Sequence, residues 1–138
     1  MTDIEDIVSI FELLGDWEQR YHYLVEVGEQ LPPMPPHLKT EANRVKGCMS
    51  QVWVSALLKP GDPNRILYYG DCDTAIIKGV LGLLVNLYSD RTLDEIKEID
   101  AEGLFKRLQL EEHLSPSRHF GVYALVEMMQ RQAAEVAD

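Results

Sequence analysis

The apolar segment from Ala75 to Tyr88 constrains the fold more than any other part of the sequence. Its apolar side chains cover nearly every side of a helical projection, and only two polar residues interrupt them. A helix of this kind is buried inside a larger protein, and it is too short and too polar to span a bilayer. The segment therefore predicts a central buried helix, in which Gly79 and Gly82 let a neighbouring element approach closely.

Before this helix, the pattern predicts helices followed by strands. A break at Gly15 separates two helices, and the proline-rich run from Leu31 to Pro36 forces an extended crossing. Alternating apolar residues from Gln51 to Leu58 predict a strand, and residues 65–71 predict its antiparallel return. Residues 43–46 add a short third strand on the other side, so the middle of the chain predicts a small meander.

After the strands, the pattern predicts helices alone. Asp73 is expected to cap the central helix, and Thr92 and Asp100 to cap two shorter ones. Ser115-Pro116 then predicts the start of a long last helix. The order of helices, strands and helices is typical of an α+β fold, and 138 residues without an internal repeat predict a single domain over residues 1–138.

The charge balance narrows the class of partner. A formal net charge of −10 disfavours nucleic acid and anionic membrane surfaces, because both require clustered lysine and arginine. An acidic chain is better suited to a protein partner with a basic face. The acidic start of the sequence differs from the basic and then apolar start of a secretory signal, so we expect a cytoplasmic protein whose two cysteines are thiols, although a Cys48–Cys72 disulfide stays open.

Cys48 is the residue whose surroundings indicate chemistry most clearly. Gly47 before it allows a positive φ, which suits a tight connection that holds the thiol outward. Lys46 and Arg44 supply positive charge nearby, which favours the nucleophilic thiolate. In an otherwise acidic chain this pattern indicates a reactive thiol, while local sequence alone also leaves open a buried structural cysteine.

Other chemistries lack their usual motifs. None of the four histidines lies in a recognisable hydrolase motif, and two cysteines without Cys-x-x-Cys spacing are a weak signal for a metal site. The sequence contains no phosphate-binding loop and no nucleophile elbow. Sulfur exchange remains. In this reaction a thiolate attacks a sulfur that is bound to another thiol, which requires an accessible thiol with a lowered pKa but does not require a built-in base.

Four stretches of the sequence together resemble the SufE family of sulfur acceptors for cysteine desulfurases. They stand in the family's order and cover essentially the whole chain. The stretches are Leu31-Pro32-Pro33-Met34-Pro35, the active-cysteine segment from Asn43 to Trp53, Gly70-Asp71-Cys72-Asp73 running into Ile76-Ile77-Lys78-Gly79, and His113-Leu114-Ser115-Pro116-Ser117-Arg118.

The resemblance implies both a fold and an activity. The fold is a small three-stranded antiparallel sheet packed against helices, similar to the IscU-type scaffold, with Cys48 on a loop between the first two strands. The implied activity is transpersulfidation, in which this chain would act as an accessory sulfur-relay protein rather than as a free-standing enzyme. Cys48 would take sulfane sulfur from the persulfide of a cysteine desulfurase and pass it to an Fe–S scaffold complex or another acceptor. Pyridoxal phosphate would belong to the desulfurase, and this chain would carry no cofactor or metal.

The resemblance also assigns supporting roles and leaves two questions open. It implies that Gly47, Gln51, Asp73 and Arg118 support the loop or contact the partner. Cys72 departs from the family, where a serine or another small residue is expected, and is either a buried isosteric thiol or a redox partner. The alternative function is a non-covalent partner-binding module or an Fe–S cluster scaffold.

Overall fold

The computed structural model describes residues 4–46, 50–114 and 116–137, with the backbone alone for residues 116–120. Seven α-helices, one 3-10 turn and two strands lie in these ranges, in the predicted order of helices, strands and helices. They are α1 Ile4–Leu13, α2 Trp17–Glu29, the 3-10 turn Pro36–Leu38, β1 Val52–Lys59, β2 Asp62–Cys72, α3 Ala75–Tyr88, α4 Leu93–Lys97, α5 Ala101–Arg107, α6 Leu110–His113 and α7 Pro116–Ala137. The predicted α+β class is confirmed.

Helix α3 is the buried centre of the fold, as its sequence predicts. Nine of its 14 residues are buried, and each fully buried large apolar side chain stabilises the fold by roughly 1.5–3 kcal/mol. Helix α2 packs directly on its backbone, because a Cβ at Gly79 would lie 2.3 Å from the carbonyl oxygen of Leu24. Gly28 of α2 meets the backbone of Lys78 and Gly79 in the same way. The glycines therefore set the close approach of α2 and α3.

Two of the predicted helix caps are confirmed and one is wrong. Thr92 forms a capping box with Glu95, and the side chain of Asp100 accepts a bond from the N–H of Gly103. At the start of α3 the N-cap residue is Thr74 and not Asp73. Asp73 lies one residue further out, and its Oδ1 instead accepts hydrogen bonds from the N–H of Gln51 and the hydroxyl of Thr74. Ser115, the predicted cap of α7, lies outside the described residues.

The sheet has two strands among the described residues. β1 and β2 pair antiparallel, with Val52 opposite Cys72, and the turn between them holds Gly61 at a φ of 82°. Glycine adopts this left-handed conformation without steric cost. Residues 43–46 form an isolated bridge between Arg44 and Trp53 rather than the predicted third strand.

The side chain of Gln132 explains why the third strand is so short. Its Oε1 accepts a bond from the N–H of Ala56 at 3.1 Å, and its Nε2 donates to the carbonyl of Val54 at 2.8 Å. An amide from α7 thus satisfies the edge of β1 where a longer third strand would pair. Helix α7 lies over the sheet, and the hydroxyl of Tyr68 donates to the carbonyl of Met129 at 2.7 Å.

Among the residues that the structure describes, no helix combines the length and apolar character that crossing a membrane requires.

Candidate functional site

Residues 46–51, called the 46–51 loop below, lie in the sequence between two buried residues that pair with each other. Val45 and Val52, which flank it, are each 1% exposed, and the N–H of Val45 donates to the carbonyl of Val52 at 2.8 Å. The adjoining pair, from the N–H of Val54 to the carbonyl of Asn43, measures 3.0 Å. Buried backbone pairing therefore joins the two residues on either side of the loop. The predicted residues Gly47 and Cys48 belong to this loop and lie outside the described residues.

The C-terminal arm of the loop is hydrogen-bonded to the junction between β2 and α3. The N–H of Gln51 donates to Oδ1 of Asp73 at 3.0 Å, and the N–H of Asp73 donates back to the carbonyl of Gln51 at 3.2 Å. The hydroxyls of Ser50 and Thr74 lie 2.6 Å apart. These contacts join the arm to the start of the central helix. The bonds of Gln51 described here are made by its backbone, whereas its side chain is exposed.

The N-terminal arm is held by ion pairs around Glu41. One carboxylate oxygen of Glu41 lies 2.5 Å from Nε of Arg44, and the other lies 3.1 Å from Nζ of Lys46. The hydrogen bonds from Arg44 and then Lys46 lower the pKa of Glu41, so this carboxyl stays ionised. The two cations that favour a thiolate in the sequence are therefore partly offset by a shared carboxylate.

A second charged cluster lies on the sheet close to the 46–51 loop. Asp71 lies 2.6 Å from Nζ of Lys39 and 3.3 Å from Nζ of Lys78. Burial opposes ionisation of Asp71, but hydrogen bonds from Lys39, the N–H of Cys72 and Lys78 outweigh it and lower the pKa of the carboxyl. The ammonium of Lys39 also lies 5.6 Å from the ring centroid of Trp53. The cluster thus links the segment before the loop to β2 and α3.

Cys72 ends β2 directly beside the residues that hold the loop. Its side chain is 7% exposed, and its Sγ accepts a bond from the N–H of Thr74 at 3.4 Å. A small, buried side chain that accepts one backbone bond fits this position. The role of Cys72 stays a prediction.

The last stretch of the resemblance surrounds the start of α7. The ring of His113 stacks on that of Trp17, with centroids 3.6 Å apart and planes 21° apart, and the carbonyl of His113 accepts a bond from the hydroxyl of Tyr21. These contacts give His113 a packing role. Arg118 lies in the first turn of α7, and its side chain is outside the described part of the chain.

Sequence reasoning missed two residues that hold the loop, Glu41 and Thr74. The signal for Glu41 was available, because an acidic residue three and five positions before two cations favours local ion pairs. The contact of Thr74 had no local signal, since its partner Ser50 is 24 residues away. In residues 4–46, 50–114 and the described part of α7, no group of three or more His, Cys, Asp or Glu residues is placed to hold a metal ion.

Comparisons with known proteins match nearly the whole chain. The family model SufE, described as an Fe-S metabolism associated domain, matches residues 5–133. An uncharacterized SufE-like protein of Rhizobium meliloti is 34% identical over 96% of this chain and 96% of its own. Another from Rhizobium etli is 36% identical over 96% of this chain and 90% of its own.

A solved structure shows the same fold. The solution structure of a hypothetical protein from Thermus thermophilus is similar with a TM-score of 0.77, at 24% identity, over 96% of this chain and 94% of that one. The family match, the two relatives and the sequence stretches around the 46–51 loop agree with one another. The chain belongs to the SufE family, a family associated with Fe–S metabolism.

Proposed function

We propose that this protein is a sulfur acceptor that activates a cysteine desulfurase and carries a persulfide on Cys48. The observation that carries the proposal is the 46–51 loop, whose two arms make hydrogen bonds or ion pairs on either side of the cysteine that the family motif marks. Hydrogen bonds of Ser50 and Gln51 hold one arm, and the ion pairs of Glu41 hold the other. Anchoring a loop at both arms restricts where a thiol between them can lie.

The proposed reaction is a thiolate attack on a persulfide. The thiolate of Cys48 attacks the outer sulfur of a cysteine persulfide on the desulfurase. A new S–S bond forms on Cys48, the S–S bond of the partner breaks, and the partner's cysteine leaves as a thiolate. The exchange conserves electrons, so it needs no oxidant or reductant. Pyridoxal phosphate belongs to the desulfurase, and the sulfur then passes to an Fe–S scaffold complex or another acceptor.

Supporting residues follow from the anchoring contacts and from the family motif. Gly47 gives the backbone freedom before Cys48, and the backbone of Gln51 with the carboxylate of Asp73 fixes the arm after it. Arg118, in the first turn of α7, is proposed as a contact with the desulfurase. Each of these roles can be tested separately from the chemistry of Cys48.

Intact mass spectrometry tests the proposal against its alternatives. The protein is mixed with a catalytic amount of desulfurase and cysteine, and its mass and visible absorbance are recorded. We expect a mass increase of one sulfur that reductant reverses. Added iron with visible absorbance would instead support a cluster scaffold, and an unchanged mass despite tight binding would support a non-covalent module.

The contact assigned to Arg118 predicts weaker activation in the variant Arg118→Ala. Removing one partner of a buried charged contact costs on the order of 2–5 kcal/mol, so the concentration that half-activates the desulfurase should rise at least tenfold. The matched control is Arg131→Ala, because Arg131 pairs with Glu135 on an exposed part of the same helix. Equal activation by wild type and Arg118→Ala would remove the contact role and leave the proposed chemistry intact.

A further inference from the structure

We infer that the outer face of the β1–β2 sheet is a docking surface for the cysteine desulfurase, which meets it with an apolar surface that has an acidic rim. The outer face is defined by the side chains of Trp53, Leu57, Leu67 and Tyr69. The inference rests on the proposed function and extends it, because it names where the partner binds. None of these four residues is a predicted site residue.

The strand pairing places the four side chains on one face of the sheet. Leu57 lies directly opposite Leu67, and Tyr69 lies opposite Ser55. Residues that are directly opposite in an antiparallel pair share a face, and so do residues two positions apart in one strand. Trp53 is therefore on the same face as Leu57, and Tyr69 on the same face as Leu67.

Helices α3 and α7 lie against the other face of the sheet. A Cβ at Gly70 would lie 2.9 Å from the side chain of Leu81 in α3, and the hydroxyl of Tyr68 bonds to the carbonyl of Met129 in α7. Both sheet residues alternate with those of the outer face. The outer side chains are half-buried, and in the described part of the chain they are not among the apolar side chains that pack against the core. Half-exposed leucine and aromatic side chains on such a face are typical of a protein-binding surface.

The charge around the sheet favours an acidic partner over a second copy of this chain. Residues 36–78, which include both strands, contain six lysine and arginine residues and four aspartate and glutamate residues, a formal charge of +2. The whole chain carries −10, so the other residues together carry −12. One of the cations, Lys39, lies 5.6 Å from the ring centroid of Trp53 at the margin of the outer face. Two such faces would repel each other, whereas an acidic rim complements them.

The size of the outer face also argues against a homodimer. From Trp53 to Leu57 the strand extends about 13 Å, and two strands give a plan area on the order of 150 Å². A stable interface takes about 800 Å² from each partner. A partner that covers the outer face must therefore cover adjoining surface as well.

The adjoining surface is the 46–51 loop. Trp53 follows Gln51 by two residues, and its backbone bridges to Arg44 before the loop. An interface of about 800 Å² is roughly 30 Å across, whereas the outer face ends about 20 Å along the strand from Gln51. A desulfurase that docks at the loop to transfer sulfur covers the outer face within one interface of ordinary size. This continuity selects the desulfurase as the occupant.

The first test is the dissociation constant of the complex with the desulfurase holoenzyme, measured by calorimetry. The double variant Leu67→Thr with Tyr69→Thr removes apolar surface and keeps β-branched residues that suit a strand. We expect its Kd to rise at least tenfold, because large side chains at the centre of an interface dominate binding. The matched control is Leu58→Thr, since Leu58 is 40% exposed on the opposite face of the same sheet, and its Kd should stay within twofold. Circular dichroism checks the fold of each variant.

Hydroxyl-radical footprinting tests the same surface without any substitution. In the wild-type protein, the desulfurase should slow the oxidation of Trp53 and Tyr69 at least threefold. Trp17 on α2 serves as the internal control, and its oxidation should not change.

Three results would overturn the inference. They are equal Kd values for wild type and the double variant, an equal loss of affinity in Leu58→Thr, and unchanged oxidation of Trp53 and Tyr69. Protection of these residues by self-association of the free protein, with the Kd for desulfurase unaffected in the double variant, would assign the face to a second copy and also overturn it. The proposed function fails separately: a wild type that binds desulfurase but gains no sulfur contradicts sulfur acceptance, and the Kd comparison still decides the docking surface.

Discussion

The contact between α2 and α3 and the 46–51 loop are held by opposite kinds of interaction. The helices meet backbone to backbone, where even a single Cβ at Gly79 would lie 2.3 Å from the carbonyl oxygen of Leu24. The loop is held by a few hydrogen bonds at one arm and exposed ion pairs at the other. Close packing resists any change of volume, whereas exposed polar contacts are individually weak and exchange with water.

We expect this difference to separate the stability of the protein from the proposed reactivity of its thiol. Changes at the helix contact should lower the free energy of unfolding and leave the thiol chemistry of folded molecules alone. Changes at the loop should alter sulfur transfer while the free energy of unfolding hardly moves. Low local stability is common where functional segments must move, and the following variants test whether the two properties divide in this way.

The largest effect on stability is expected for Gly79→Ala. Its new methyl group overlaps the backbone of α2, so one helix must shift, and we expect a loss of about 2–4 kcal/mol in the free energy of unfolding. Urea denaturation measures this loss. Gly15→Ala is the matched control, because a Cβ there meets no atom within 4 Å.

The expected contrast between the helix contact and the loop is contradicted if Gly79→Ala and Gly15→Ala are equally stable. It also fails if the folded fraction of Gly79→Ala has lost its ability to accept sulfur, since the helix contact would then govern the loop as well.

The next largest effect is expected for Asp73→Ala, as a decrease in the rate of sulfur transfer. The variant loses the acceptor for the N–H of Gln51, and poor positioning of the loop should slow single-turnover sulfur acceptance roughly tenfold. The free energy of unfolding should change by less than about 1 kcal/mol. Asp73→Asn keeps an acceptor oxygen and should retain most of the rate. Equal rates in Asp73→Ala and wild type would show that this bond does not position the loop.

The smallest effect is expected for Asp71→Asn and depends on pH. Because the fold lowers the pKa of Asp71, its stabilising contribution is present above the unfolded pKa, near 4, and is lost as pH falls through the folded value. We expect Asp71→Asn to lower the free energy of unfolding by about 1 kcal/mol at pH 7. The difference from wild type should shrink below pH 4, and a difference that stays constant down to pH 3 would contradict the assignment.

The sequence predicted the elements whose cause is local. The central helix occupies Ala75–Tyr88 as expected, because a helix that is apolar on nearly every side is stable only when it is buried. The caps at Thr92 and Asp100 form as their side chains predict. Strand β2 is longer than predicted: it runs from Asp62 to Cys72, because the tight turn at Gly61 lets pairing begin early.

The contacts that local patterns could not predict are those made across the chain. Gln132 occupies the edge of β1 from 76 residues away, which is why residues 43–46 do not extend into a full strand. The local sequence around Asp73 predicts a helix cap, but its carboxylate accepts a hydrogen bond from the N–H of Gln51, 22 residues earlier. In the candidate site, the family motif predicts Cys48 as the reactive residue, but only the structure shows how the two arms of the loop are held.

The most direct test of the account compares two serine variants in the sulfur-acceptance assay. Cys48→Ser is nearly isosteric and a poor sulfur nucleophile, so we predict that it folds normally by circular dichroism and gains no sulfur when mixed with desulfurase and cysteine. Cys72→Ser, whose side chain is buried, should retain most of the wild-type gain. A full mass increase in Cys48→Ser would contradict the central claim that Cys48 carries the sulfur.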